Sequence, residues 1–241
     1  IQGPEQPLSA FFQKTISDGT APLTIGHLLR AQAPLLWGAG DPDYWDLFYA
    51  GDRIEASLRV ISRHQTRAQP AINFAAAYLL SQVIEQVSGQ SVFNFAYRYL
   101  FQPLGITTYA ADDDDDLILD PMVGFQLKTL DLAKIGYLLA QEGAWDGQRI
   151  VSKEWVRWLF FKAPQAEFDD APGGSWVKTT IRGHESLVVR GDGGQYLVLI
   201  PALQTVVVTT STSRFALPQD NGHDRLLQLI VEAVLKPSGT A

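Results

Sequence analysis

The sequence predicts an α+β fold: an antiparallel sheet flanked by helices, with a largely helical subdomain. Three observations predict it. Apolar residues recur at helical spacing through much of the chain as far as Val156. Beyond Gly173 the period drops to two, over four short runs separated by Gly or Pro turns. A last helix-periodic run follows. Helices, then strands, then a helix form segregated layers rather than alternating ones. No repeat or linker interrupts the pattern. A single domain over 1–241 is therefore expected, with approximately 20–170 as its helical region and 171–241 as sheet strands plus a C-terminal helix.

The elements follow in order. Leu23, Ile25, Leu28 and Leu29 suit a short strand-like lead-in to a helix. Between 37 and 70, Gly, Pro and Asp mix with Trp37, Tyr44, Trp45, Phe48 and Tyr49. This reads as a loop followed by a helix near 54–61. Aromatic clusters of this kind serve core or lid packing more often than substrate contact. Residues 75–87 give the clearest helix, with Leu79, Leu80, Val83, Ile84 and Val87 at helical spacing. Ser88-Gly89 ends it, Gly being able to take the left-handed C-terminal position. Ser91 suits the cap of a next helix carrying Phe93, Phe95, Tyr99 and Leu100, which Pro103 and Gly105 stop. The run of five aspartates at 112–116 reads as a solvated loop, since like charges repel. It lacks the alternating ligands and sixth-position glycine of an EF-hand. Thr129 suits a helix cap, with Asp131 in the favoured first turn and Leu132, Ile135 and Leu139 as the stripe. Strands are expected at 176–181, 185–189, 196–200 and 205–210, with His184 in a hairpin turn. The last helix is expected at 222–235, capped by Asn221.

Composition narrows the function classes. A net charge of −7, with no Lys/Arg stripe, gives no nucleic-acid footprint. The absence of cysteine removes disulfides, thiolate metal sites and Cys nucleophiles. No apolar run approaches the roughly 20 residues needed to span a bilayer. His27, His64, His184 and His223 show no H-x-x-x-H spacing, and no G-x-S-x-G occurs. The first residue is Ile1 rather than Met, so the N-terminus is expected to have been cut, processed or omitted.

Three blocks carry a resemblance. In 72–106, INFAAAYLLSQVIEQVSGQ leads into LFQPLGI. In 124–156, GFQLKTLDLAKIGYLL leads into DGQRIVSKEWV. In 190–210 the chain opens on RGDGGQ. These blocks resemble the serine β-lactamase and penicillin-binding-protein superfamily, in its class C β-lactamase, esterase and D,D-peptidase branch. The first resembles the loop and helix bearing that family's Y-x-N motif, where Asn73, Ala75, Ala76, Leu79, Leu80, Ser81, Glu85, Ser88 and Gly89 fit. The resemblance implies a β-lactamase/transpeptidase-like fold.

It also implies a chemistry. In that superfamily a serine attacks a carbonyl, and a lysine one helical turn later, in S-x-x-K, helps move its proton. The tyrosine of Y-x-N is the other proton carrier. A K/H-T/S-G motif on an edge strand binds substrate carboxylate and shapes the oxyanion region. The need is general, because a hydroxyl is a weak nucleophile without an adjacent base and prearranged donors.

Here Ile72 stands where the tyrosine belongs, beside a retained Asn73. Val189 and Arg190 replace the first two residues of K-T-G, Gly191 holds the third place, and Gln195 follows. The guanidinium fork of Arg190 suits a carboxylate; the competing reading is that these glycines serve a tight strand turn. The nucleophile helix is expected upstream of Ile1, together with the first strands. The chain is therefore expected to hold no S-x-x-K pair and to leave a sheet edge exposed. The expected function is a β-lactamase-related serine hydrolase homologue, non-catalytic as given. The alternative is a fragment of an active esterase, D,D-peptidase or β-lactamase-like hydrolase. No catalytic residue is assigned. Asn73, Arg190, Gly191 and Gln195 are the substrate-binding candidates, for a small-molecule or peptide-like ligand in the family's cleft. No metal, cofactor or nucleic-acid partner is expected. Family members are often periplasmic or secreted, and this sequence assigns no compartment.

Overall fold

The computed structural model describes residues 1–13, 22–29, 47, 49–65, 73–111, 125–163, 165, 176–191, 194–210 and 229. It has an α+β architecture with antiparallel sheets. The chain forms two compact units, Ile1–Lys128 and Thr129–Ala241.

The first unit is mainly helical. Pro7 and Thr24 form an antiparallel bridge, and the Leu8 amide donates to the Leu23 carbonyl at 2.8 Å. Thr24 leads into helix α1 (Ile25–Leu29), so the strand-like lead-in expected there is a single bridge. Helix α2 (Arg53–Gln65) begins where Asp52 Oδ1 accepts from the Glu55 amide at 2.9 Å, satisfying a backbone donor that the helix cannot. Helix α3 (Asn73–Ser88) packs on α2. Ala75, Ala76, Leu79 and Val83 of α3 join Leu58, Val60 and Ile61 of α2 and Leu28 of α1 in one buried cluster. Alanines on one face let the helix backbones approach, while the leucines and valines fill the volume. Gly89 then takes φ +66, the left-handed geometry that ends α3.

Ser91 caps α4 (Val92–Ala96), its Oγ accepting from the Asn94 amide at 3.3 Å. The chain widens into a π-helical turn over Tyr97–Phe101. Phe93, Phe101 and Tyr109 gather around Phe125, with ring centroids 4.9 to 6.1 Å apart. That aromatic core is bracketed by the short pair β1 (Tyr109–Ala111) and β2 (Phe125–Leu127). Tyr49 is 73% exposed and is not part of a core. Trp37, Tyr44, Trp45, Phe48 and the aspartates at 112–116 lie outside the described residues.

The second unit carries the main sheet. Helix α5 (Thr129–Ala140) leads to a hairpin of β3 (Ala144–Trp145) and β4 (Gln148–Arg149). Its two-residue turn is Asp146-Gly147, both at positive φ, a combination that matches the right-handed twist of paired strands. Helix α6 (Lys153–Lys162) is capped by Ser152, whose Oγ accepts from the Trp155 amide at 3.2 Å. Strands β5 (Val177–Ile181), β6 (His184–Gly191), β7 (Gln195–Ile200) and β8 (Thr205–Thr209) then pair in sequence order, all antiparallel. Arg182-Gly183, also at positive φ, make the β5–β6 turn, so His184 opens β6 rather than lying in the turn.

Both sheet faces are apolar. Val177, Val188, Tyr196, Val198, Ile200 and Val207 form one cluster. Leu187, Leu197 and Leu199 form the other with Ala163, beside Leu132, Leu139 and Phe160 of the helices. Gly136 of α5 lies against Leu197, Leu199 and Val206 with no room for a side chain. Burial on both faces is why β7 reads as the near-continuous apolar run YLVLI. Of the helix expected over 222–235, only Leu229 is described, in helical conformation.

Candidate functional site

The β6–β7 hairpin positions three of the four candidate binding residues. Its register sets Arg190 opposite Tyr196 and Gly191 opposite Gln195. Directly opposed residues share a face, and the Arg190 Cζ lies 5.9 Å from the Tyr196 ring centroid. That spacing suits a cation–π contact, which holds the guanidinium at the hairpin end of the sheet. Tyr196 itself is buried among the valines of that face. Arg190 and Gly191 are half-buried, while Gln195 is exposed.

Gly191 has a packing reason to be glycine. A Cβ there would come within 3.2 Å of the Gln195 Cβ. Gly194 takes φ +85, a left-handed conformation that side chains resist. Its carbonyl accepts from Thr209 Oγ1 at 2.9 Å, tying the turn to β8. Next to it, the hydroxyls of Thr129 and Thr210 are 2.6 Å apart, joining the start of α5 to the end of β8. The hairpin end is thus fixed by its own register and by the Thr209 hydrogen bond. The register puts the Arg190 guanidinium and the Gln195 carboxamide on opposite faces of the hairpin. The guanidinium by itself can recognise a planar anion. Among the described side chains of the hairpin end, none is a nucleophile beside a base.

Asn73 is the first residue of α3, in the other unit. Its side chain and Ile72 lie outside the described residues. The structure therefore places Arg190, Gly191 and Gln195 on one hairpin, Arg190 on the face opposite that of Gly191 and Gln195.

One sequence expectation needs correction. Ser175 and Lys178 do stand in S-x-x-K spacing. Lys178 lies on β5, paired with Leu187, and also forms a parallel bridge with Gln165. The family's proton transfer puts the lysine on a helix, whereas Lys178 is on a strand. Ser175 lies outside the described residues. Among the described residues no three His, Asp or Glu side chains gather as a metal site, and no helix is long and apolar enough to cross a membrane.

Comparison with solved structures places this fold. The chain superposes on a provisionally assigned 6-aminohexanoate-dimer hydrolase from Bacillus anthracis with a TM-score of 0.69 at 17% identity, covering 98% of this chain and 67% of that one. The octameric penicillin-binding protein homologue from Pyrococcus abyssi gives 0.61 at 19% identity, covering 95% and 60%. The penicillin binding protein from Bacillus halodurans gives 0.60 at 19% identity, covering 96% and 78%. The chain thus spans 60% of the Pyrococcus protein's length and 78% of the Bacillus halodurans protein's. No curated protein matches the chain in sequence. At these identities the superpositions establish the fold alone. The sequence pattern of the Beta-lactamase family matches residues 3–232, nearly the whole chain, and on that match, with the fold in agreement, the chain belongs to the Beta-lactamase family.

Proposed function

We propose that this chain supplies the binding scaffold of a Beta-lactamase-family hydrolase and performs no serine-nucleophile chemistry by itself. The carrying observation is Ile72, an aliphatic side chain directly before Asn73, where the resemblance calls for a proton-carrying tyrosine. An alkyl group has no titratable proton, so the serine activation typical of such sites lacks one of its two carriers. The altered triplet Val189-Arg190-Gly191 supports the same reading. Arg190 offers a bidentate donor set for a carboxylate, a binding rather than a proton-transfer role. Arg190, with the adjoining backbone at Gly191, is the proposed contact within the second unit for a small-molecule or peptide-like ligand.

The test is covalent labelling of the 241-residue chain with a fluorophosphonate and with a fluorescent penicillin. No stoichiometric adduct is expected by intact-mass measurement. A saturable adduct on one serine would overturn the proposal.

A second reading is favoured by the lengths of the solved relatives, of which the chain spans 60% in one case. On that reading the chain is one part of an active hydrolase, and an S-x-x-K serine outside the present sequence does the chemistry. A longer form of the protein would then hydrolyse an ester or β-lactam reporter, and replacing that serine by alanine would abolish the activity.

A further inference from the structure

Helix α6 has two unlike faces. Val156 and Ala163 are buried, and Phe160 and Ala163 pack with Leu187, Leu197 and Leu199 of the sheet. The helix repeat puts Glu154, Trp155, Trp158, Phe161 and Lys162 on the other side. The rings of Trp155 and Trp158 stack there, with centroids 4.9 Å apart and planes 10° from parallel. Phe161 is 75% exposed, and Glu154 and Lys162 are exposed as well. The Lys162 ammonium lies 5.5 Å from the Phe161 ring centroid. Three aromatic side chains thus form a row on the outer face, with a carboxylate at one end and an ammonium at the other. Lys153 and Arg157 of the same helix are paired with Glu142.

The order of the outer residues is self-complementary. Trp158 stands four residues after Glu154 and four before Lys162, three after Trp155 and three before Phe161. Two copies of α6 laid antiparallel, about a two-fold axis at Trp158, bring Glu154 of each opposite Lys162 of the other. The same operation sets Trp155 opposite Phe161 and brings the two Trp158 rings together at the axis. A parallel arrangement would instead oppose like charges at both ends.

From this pattern we infer that the outer face of α6 is a homodimer contact, occupied by the same face of a second copy of this chain. The charges choose the occupant, because an acid and a base at opposite ends of an aromatic row complement that row reversed. The ion pairs fix the antiparallel register, as flanking charges do along other helix seams. The aromatic rings supply the buried area. The helix has 10 residues and is therefore about 15 Å long, which makes the contact smaller than a standard interface. Its dimer should form at high protein concentration and dissociate on dilution.

The test is sedimentation equilibrium of the 241-residue chain across the micromolar to millimolar range. The mass of the parent should rise from monomer towards dimer. Glu154→Lys sets lysine against lysine, and Lys162→Glu sets glutamate against glutamate. Each variant alone should dimerise on the order of tenfold more weakly than the parent. An equimolar mixture of the two regains both ion pairs in a heterodimer and should associate within about twofold of the parent. Both side chains are exposed, so circular dichroism should be unchanged. Should either charge variant fail to fold, Phe161→Ser should by itself weaken the dimer by about tenfold.

A chain that stays monomeric to millimolar concentration would overturn the inference. So would folded single variants that dimerise like the parent, or a mixture that associates no better than its components. A monomer that instead pellets with phosphatidylglycerol vesicles would assign the face to a bilayer, with the same consequence.

Discussion

At the residue scale, two titratable side chains tie local contacts to stability. Tyr78 on α3 is buried, and desolvation raises its pKa above the ordinary 10.0, with Arg53 opposing and Asp52 and Glu85 reinforcing the rise. The folded state therefore prefers the neutral phenol. Its stabilising contribution is fully present below pH 10 and is lost as the pH climbs through the folded-state value. Alkaline unfolding of the parent chain should steepen above pH 10, and Tyr78→Phe should blunt that loss in a pH series of thermal melts. Identical alkaline profiles would show that Tyr78 is not the group responsible.

Glu142 behaves in the opposite sense. Hydrogen bonds from Lys153 and then Arg157 hold its pKa below the ordinary 4.5. It anchors α6 to the end of α5, through Lys153 and through Arg157 Nε at 2.9 Å. Arg149 Nη1 donates to its carbonyl at 2.7 Å. Because its folded-state pKa is depressed, the contribution is present above pH 4.5 and disappears as falling pH protonates the carboxyl. Glu142→Gln should lower the melting midpoint slightly at pH 7, and the gap from the parent should close near pH 3. A gap that stays constant with pH would mean that lost packing, not lost charge, explains the change.

At the element scale, the tightest constraint is where α5 meets the sheet. A Cβ on Gly136 would lie 2.6 Å from Leu197 Cδ1 and 2.7 Å from Val206 Cγ1. Helical propensity alone favours alanine over glycine by about 1 kcal/mol. Here the packing should win, because overfilling a dense core costs about 1–3 kcal/mol and forces the helix outward. Gly136→Ala is expected to reduce unfolding free energy in urea by about 1 kcal/mol or more. A stabilised variant would show that α5 shifts without cost. Gly136 occurs in a phrase read correctly as a helix, but nothing in its periodicity marks that glycine as a contact surface. The contact arises between residues far apart in the chain.

The strands show the same division. Alternation and turn residues located β5 to β8 with ends within two residues, because each strand carries its pattern locally. His184 was expected in a turn and instead opens β6. Arg182 and Gly183 take the positive φ values that the two-residue turn requires. Arginine there is uncommon, so only the paired register exposes the turn.

At the scale of the whole molecule, family and activity separate. The Beta-lactamase match extends over 3–232, and the fold agrees with proteins only 17 to 19% identical. Shared folds host many chemistries, so activity rests on the site. If the chain lacks its own nucleophile pair, restoring a single proton carrier should not restore catalysis. Ile72→Tyr in the 241-residue chain is expected to remain unlabelled by fluorophosphonate and inactive on a chromogenic β-lactam. Activity gained by that one substitution would reveal a competent serine already present, Ser175 being the first to examine.

The sequence by itself determined the family, the α+β class and most of the described helix and strand positions. These properties are written in short-range periodicity and in motif identity. Only the tertiary structure showed Arg190 lying over Tyr196, Lys178 on a strand paired with Leu187, and Asp52 and Glu85 lining one groove with Phe11 and Phe12. Each depends on long-range pairing, which joins residues that no local pattern relates.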